Sequence, residues 1–292
     1  MPDYIIQKAV GPDKVVKKHR KTLAEYGAAY LAQRKYDGCC AVIFTGEGRV
    51  EPYGQSRTGE DYPSLDPAAK ELRLTMGPGF VLIGEAWWPG KDQFNLISGE
   101  FRRLEPSSNL TVMVNDCLTQ AEFDAGFSPV PYRERIDRVP VSPDYRWVKV
   151  ASWAPGTYGC PQALCNKFVD EGGFDGLILR DPEGTWTKGS GTTGEIIKIK
   201  RVLSFDLRVT GWEPGKGKHE GRAGALTVDF RGKPLSIGTG LSDAQRDNIA
   251  AYYRDDWHGA IVEVEAMDYS SDGLLREPRF KGIRFDKPQP DA

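Results

Sequence analysis

Five consecutive residues, Arg34-Lys35-Tyr36-Asp37-Gly38, constrain this chain more than any other stretch. They form a short polar break between two apolar runs, Ala28 to Ala32 and Cys39 to Phe44, and read as strand, turn, strand. A lysine raised on such a sheet-edge turn can act as a nucleophile once its amine loses a proton and an electrophile is held in line with it. From a free-lysine pKa of about 10.4, neutrality near pH 7 requires roughly 4–5 kcal/mol from nearby cations, a metal or desolvation. The rest of the fold must supply those neighbours, because Lys-x-Asp-Gly alone is more often a solvated hairpin turn.

Five other segments offer them. Ser56-Arg57-Thr58-Gly59 follows the first hairpin, and Gly84-Glu85 closes an apolar strand. Asp175 and Gly176 lead into Leu177-Ile178-Leu179-Arg180, with Glu171 shortly before. Lys198 and Lys200 are two apart among Ile196, Ile197 and Ile199, so both point to one face of a strand. Two ammonium groups beside a phosphate stabilise its charge and favour an uncharged Lys35. The segment from Arg276 to Lys287 holds five positive and two negative side chains.

The pattern between these segments predicts an α+β chain. Pro12-Asp13 opens an expected amphipathic helix over 13–26, whose Lys14, Lys17, Lys18, Arg20 and Lys21 read either as a solvated face or as a DNA-facing one. Strands are expected at Cys39 to Thr45 and Arg49 to Gln55 around Gly46-Glu47-Gly48, then at Phe80 to Trp88, Leu110 to Leu118, Trp147 to Trp153 and Leu177 to Leu179. Helices are expected at Asp66 to Leu74, Pro131 to Val139 and Pro161 to Asp170. Beyond Phe205, short strands at Asp206 to Trp212, Gly224 to Phe230, Pro234 to Ile237 and Ala260 to Met267 surround one helix near Asp243 to Arg254 and suit a small OB-type barrel. The expected domains are residues 1–202, with mixed and largely antiparallel sheets, and 203–292, all β.

Composition excludes little. The 292 residues hold 39 Lys and Arg against 41 Asp and Glu, with 26 and 26 in residues 1–202 and 13 and 15 in residues 203–292. Contacts to a polyanion would have to come from local clustering. Five cysteines, without two spaced pairs, read as reduced packing thiols rather than a zinc site. The absence of a long apolar run or an export signal points to the cytoplasm, of a host cell if the source is viral, and to no membrane partner.

Taken in order, the segments from 33 to 287 resemble the covalent nucleotidyltransferase family, most closely the small phage-type ATP-dependent DNA ligases. The resemblance implies a nucleotidyltransferase (adenylation) domain followed by an OB-fold domain, with ATP and magnesium, or manganese in its place, as cofactors. It implies nicked duplex DNA as the substrate and a monomeric enzyme. Lys35 would be the residue adenylated, within a nucleotide site that includes Gln33 on the adenine amino edge and Tyr36, Asp37 and Gly38. Arg57 would meet ribose or DNA phosphate, and Glu85 the ribose hydroxyls or a metal. Asp175, where the family has glutamate, or Glu171 would meet the metal, with Lys198 and Lys200 on the α-phosphate. Arg279, Arg284 and Lys287 would orient pyrophosphate, and Lys216, Lys218 and Arg222 would follow the DNA backbone.

The chain departs from the family pattern at three further places. Ile83 stands where an acid is common, Cys40 where an arginine is frequent, and Val112 or Val114 would replace an aromatic ring against adenine. The rival readings are an RNA ligase or mRNA-capping guanylyltransferase with the same lysine chemistry, and a non-catalytic OB-containing DNA-binding module.

Overall fold

Residues 3–91, 93–141, 146–189, 191–270 and 272–291 are described by a computed structural model. The chain divides into two compact units, Met1–Lys200 and Arg201–Ala292. Each has its own sheets and core.

The first unit is built on two sheets. In one, the strands run in the order Ile196–Ile199, Phe174–Arg180, Leu31–Tyr36, Ser152–Trp153, all antiparallel. In the other the order is Tyr53–Ser56, Cys39–Phe44, Phe80–Trp87, Thr111–Thr119, Trp147–Lys149, antiparallel except for the last pair. The strand that holds Lys35 and the strand that begins at Cys39 therefore do not pair. The expected hairpin is instead a crossing from one sheet to the other, and Lys35 lies within a strand rather than on a turn.

Gly38 makes that crossing possible. A β-carbon there would stand 2.3 Å from the carbonyl oxygen of Ala86 and 2.9 Å from Cγ of Glu85, so only glycine lets the chain pass this close to the neighbouring strand.

Each sheet turns one face to helices. Leu65, Ala69 and Leu72 from the segment around helix Asp66–Met76, and Ile97 and Phe101 from helix Phe94–Phe101, pack on Ile43, Leu82 and Trp147. Tyr26 of helix Leu23–Ala29 and Cys165 and Phe168 of helix Pro161–Glu171 cover Ala32, Leu177 and Leu179 on the other sheet. The opposite face of the second sheet carries a smaller apolar cluster, with Val42, Phe44, Val81, Ile83 and Leu118, and beside it a buried polar one. Asp116 accepts from Arg135 Nε and Nη2 at 2.9 and 3.0 Å, from Arg180 Nη1 at 3.1 Å and from the backbone N–H of Cys117 at 2.9 Å. Asp116 belongs to the second sheet and Arg180 to the first, so this buried cluster fastens one to the other.

Several expectations change here. The helix expected over 13–26 is two short 3-10 turns, Pro12–Lys14 and Lys17–His19, followed by helix Leu23–Ala29. Val15 is pulled into the core beside Ile197 and Ile199, while Thr22 and Glu25 form a capping box that starts the helix later. Ala28 and Ala29 end that helix instead of starting a strand. The extended run Trp147 to Trp153 splits between the two sheets. Helices Phe94–Phe101 and Gln120–Asp124 were not anticipated. Among the described residues, no helix is long and apolar enough to cross a membrane.

The second unit is a five-stranded antiparallel sheet in the order Lys233–Ile237, Ala223–Phe230, Leu203–Pro214, Ile261–Ala266, Arg279–Ile283. Irregular register near Gly211, Pro214 and Val264 curls it. A bridge between Thr239 and Arg279, with Phe280 N–H on the Thr239 carbonyl at 2.9 Å, links its two edges into a barrel of the OB type. Leu207, Leu226, Val228, Phe230, Ile249, Trp257, Val262 and Phe280 fill it. Helix Asp243–Tyr252, capped by Ser242 and Gln245, closes one end through buried Arg246, which donates to the carbonyls of Ala223, Gly224 and Gly238.

Asp116→Ala would leave two guanidinium groups buried without their shared carboxylate. It is expected to lower unfolding free energy by about 3–5 kcal/mol, measured from urea denaturation midpoints.

Candidate active site

Three adjacent strands of the first sheet bring the basic residues together. Lys35 pairs in register with Gly176, and Gln33 and Lys198 both pair with Ile178, so all of these point to the face that looks toward the second sheet. The register then slips, because Tyr36 pairs with Phe174. Asp175 is the residue left over, and such a bulge re-aims its side chain. Its carboxylate Oδ2 accepts from Lys35 Nζ at 2.5 Å and lies 3.0 Å from Lys200 Nζ. Side-chain exposures of 24% for Lys35, 27% for Asp175 and 34% for Lys200 leave the cluster within reach of a ligand. A β-carbon at Gly176 would lie 2.2 Å from the Ile199 carbonyl, at a φ of 137°, so glycine is required where the Lys35 and Lys200 strands converge.

The electrostatics follow from this crowding. Burial alone would raise the Asp175 carboxyl, but Lys35 and then Lys200 hold it below its ordinary value. Burial and the charges of Lys200 and Lys35 push the Lys198 amine down. Glu85 lies across from them on the second sheet, where burial raises its carboxyl from 4.5 to about 7. Lys35 and Arg57 oppose that rise, while Asp37 and Asp175 add to it. Arg57 therefore belongs to the same cluster, with its guanidinium also 5.0 Å from the ring centre of Tyr4.

Gln33 is buried at the inner end of this face. Its amide nitrogen donates to Tyr132 Oη at 2.8 Å and Ser152 Oγ at 2.9 Å, which leaves the carbonyl oxygen as its acceptor toward a ligand. Tyr132 in turn has the Arg180 guanidinium 4.8 Å from its ring centre. The orientation of Gln33 is thus tied to the Asp116 cluster.

Other expected residues stand elsewhere. Glu171 pairs with Arg34 at 2.7 Å, and Arg34 alternates with Lys35 along its strand, so Glu171 is on the opposite face and is not available as a ligand here. Tyr36 packs edge-on against Trp87 and Phe174, with centroids at 5.3 and 5.2 Å, as part of an aromatic cluster. Val112 and Val114 are fully buried in the helix-side core, so neither can meet a base. The side chain in register with Glu85 on the inner face is Met113, which sequence reading missed. Alternation along Thr111–Thr119 places Met113 opposite to Val112, but choosing its face needs the register across the irregularity at Ile83 and Gly84. Cys40 is also in register with Glu85, and burial raises its thiol well above the ordinary range, so it is an uncharged neighbour rather than a nucleophile.

In the second unit, Lys216 and Lys218 are exposed at the tip of the hairpin between Leu203–Pro214 and Ala223–Phe230. Arg222, expected on the DNA backbone, pairs with Asp247 at 2.9 Å and Asp243 at 3.3 Å on the helix. Arg284 grips Asp206 at 3.0 Å and Asp286 at 2.8 Å, and Lys287 pairs with Asp206 at 2.5 Å and Asp291 at 3.0 Å. Both anchor the tail. Arg279 is exposed and makes no salt bridge among the described residues.

No group of three or more His, Cys, Asp or Glu forms a metal cage among the described residues. Magnesium does not demand one, since it binds through one or two carboxylates, water and substrate phosphate. Glu85, with its raised carboxyl facing Asp37 and Asp175, has the donor chemistry for such a cation.

A raised acid pKa favours the protonated form in the folded protein. The stability it contributes is complete below the ordinary value of 4.5 and is lost as pH rises through about 7. In metal-free buffer, wild type is expected to lose up to about 3 kcal/mol over that window relative to Glu85→Gln. Urea midpoints of both proteins on either side of the window measure the difference.

The family model described as a DNA ligase OB-like domain matches residues 214–284. DNA ligase 2 of Haloquadratum walsbyi is 28% identical over 313 residues, covering 90% of this chain and 48% of the relative. A solved Lig E DNA ligase structure, described as DNA binding with a minimal scaffold, superposes with a TM-score of 0.62 at 18% identity, covering 96% of this chain and 98% of that one. The ATP-dependent DNA ligase from bacteriophage T7, in complex with ATP, gives 0.52 at 20% identity with the same coverage of each. The chain spans about half or less of the curated relatives it matches, 48% in that case and 26% of the Natronomonas pharaonis DNA ligase. At these identities the structures establish the fold, a nucleotidyltransferase domain followed by an OB-fold domain. In sequence and in fold, the chain is similar to ATP-dependent DNA ligases.

Proposed function

We propose that this chain is an ATP-dependent DNA ligase that seals nicks in duplex DNA. The observation that carries the reading is the pair of lysines, Lys35 and Lys200, on the single carboxylate of Asp175. The Lys35 amine attacks the α-phosphate of ATP, a nitrogen–phosphorus bond forms, and the bond to pyrophosphate breaks. The amine must first give up its proton. When it does, Lys200 remains as the partner of Asp175, so the carboxylate is not left uncompensated.

Lys198 and Lys200 then face the negative charge that develops on the phosphate oxygens. Gln33 offers its carbonyl to the adenine amino group, and Met113 offers an apolar surface to the base. Arg57 takes the ribose or a neighbouring phosphate, and Glu85 the ribose hydroxyls. A magnesium ion held by Glu85 and Asp175 would add positive charge at the phosphates, and manganese has the same ligand preference for oxygen. In two further transfers AMP passes from Lys35 to the 5′-phosphate at a nick, and the 3′-hydroxyl displaces it to form the phosphodiester bond. Arg279, Lys216 and Lys218 are the exposed cations of the barrel unit suited to phosphate. The enzyme acts as a monomer in the cytoplasm.

Intact mass after incubation with ATP and magnesium should rise by one adenylate in wild type and not at all in Lys35→Ala. Lys198→Ala should take up the adenylate roughly a hundredfold more slowly. An unchanged mass for wild type would end this reading.

A further inference from the structure

We propose that residues 14–21 form a rigid surface for the phosphate backbone of duplex DNA, a choice of partner that rests on the ligase reading above. Five of the chain's 39 positive charges fall in these eight residues, at Lys14, Lys17, Lys18, Arg20 and Lys21, with His19 among them and no acid. Without them a chain of net charge -2 would stand at about −7, far from the balance that suits a polyanion. No other stretch of this length is as basic.

Its conformation separates it from a loose, solvated charge run. The backbone is laced to the strand that contains Lys198. Val10 N–H donates to the Ile196 carbonyl at 3.1 Å, Lys198 N–H to the Val10 carbonyl at 2.9 Å, and Val16 N–H to the Thr192 carbonyl at 2.9 Å. Val15 is buried against Ile197 and Ile199. Arg20 Nη2 donates to the carbonyls of Asp13 at 2.6 Å and Val15 at 3.0 Å, so one cation folds the segment back on itself. Lys21 is drawn toward the rings of Tyr26 and Tyr30, and Lys14 has only exposed Asp13 at 3.3 Å.

Two of the charges are left for a partner. Lys17 and Lys18 are exposed on the turn Lys17–His19 and make no salt bridge among the described residues. Ordering a lysine usually costs side-chain and backbone entropy, and here the backbone part is already met by the core. Val16 is its one exposed apolar side chain, and with Arg20 turned onto backbone carbonyls it offers no planar, bidentate geometry. It therefore fits a repeating anion read by charge alone, the phosphates of a duplex, and gives no base preference. Val15 packs on Ile197 and Ile199, which alternate with Lys198 along their strand, so the phosphate grip and the nucleotide chemistry share a sheet but lie on opposite faces of it.

The test uses the full chain and a nicked duplex with a 5′-phosphate, with binding followed by fluorescence anisotropy over a salt series without ATP. For Lys17→Gln/Lys18→Gln, the slope of log affinity against log salt should become shallower by about 1.8, with affinity roughly tenfold weaker across the low-salt range. Adenylate uptake at Lys35 should equal wild type. An unchanged slope overturns the proposal. So does an equal change in Lys70→Gln/Lys167→Gln, which removes two exposed lysines elsewhere on the same unit and would reduce the effect to net charge. Loss of adenylate uptake in the first variant would also overturn it, by assigning the two lysines to nucleotide binding. A wild-type chain that takes no AMP from ATP counts against the ligase reading alone, since the salt slope is read without nucleotide.

Discussion

One buried carboxylate decides how the first unit is assembled. Asp116 receives four N–H donors, three of them from Arg135 and Arg180, and it does so between two sheets whose other faces are already committed to helices. An apolar filling of that interface would hold the sheets as well or better, because desolvating an ion cluster offsets much of its attraction. What the cluster adds is direction. Arg180 stacks on Tyr132, Tyr132 fixes the amide of Gln33, and Gln33 shares a strand face with Lys35. The same residues that join the sheets thereby orient the acceptor at the inner end of the site.

The outer end depends on a defect in pairing. A regular ladder would turn Asp175 away from Lys35, since neighbours on a strand alternate. The slip between Lys35 and Tyr36 frees Asp175 from that alternation and tips it toward the amine. This explains how aspartate serves where a longer glutamate is usual in the resembling family. The bulge supplies the reach that the side chain lacks, giving contacts of 2.5 and 3.0 Å to two lysines. Glycines at 38 and 176 are the complement, because each sits where a β-carbon would meet a backbone oxygen at about van der Waals overlap, 2.3 and 2.2 Å.

Much of this was legible in the residues. The two-residue spacing of Lys198 and Lys200 in an apolar run required a shared face, and the strand Phe80–Trp87 announced its burial by composition. Helices with a proline in the first turn, Asp66–Met76 and Pro161–Glu171, were found nearly to their ends. What could not be read was the choice of strand partner. Leu31–Tyr36 and Cys39–Phe44 are close in sequence and apolar, which suggests a hairpin, yet Leu31–Tyr36 pairs with the distant Phe174–Arg180, while Cys39–Phe44 pairs with Tyr53–Ser56, as the Gly46-Glu47-Gly48 turn suggests, and with Phe80–Trp87. The same non-locality hid the Asp175 bulge, the face of Met113 and the pairing of Glu171 with Arg34. The segment 13–26 failed for a local reason, as two adjacent valines and a strong capping pair at Thr22 and Glu25 favour a later start.

The near-neutral charge of the chain also becomes intelligible. Arginines are largely committed inside the protein: Arg135 and Arg180 to Asp116, Arg138 to Glu122, Arg222 to Asp247, Arg246 to backbone carbonyls, Arg284 to Asp206. The fork geometry of guanidinium suits such fixed, multiply bonded positions. Exposed cations that make no salt bridge among the described residues include Lys17 and Lys18 in the first unit and Lys216, Lys218 and Arg279 in the second. Acidic residues that neutralise buried arginines lower the net charge without shielding these surfaces. A total near zero therefore says little about the local field, which decays within about 10 Å in salt and is set by the nearest few charges. A surface of single ammonium groups holds a polyanion weakly and releases it as salt rises.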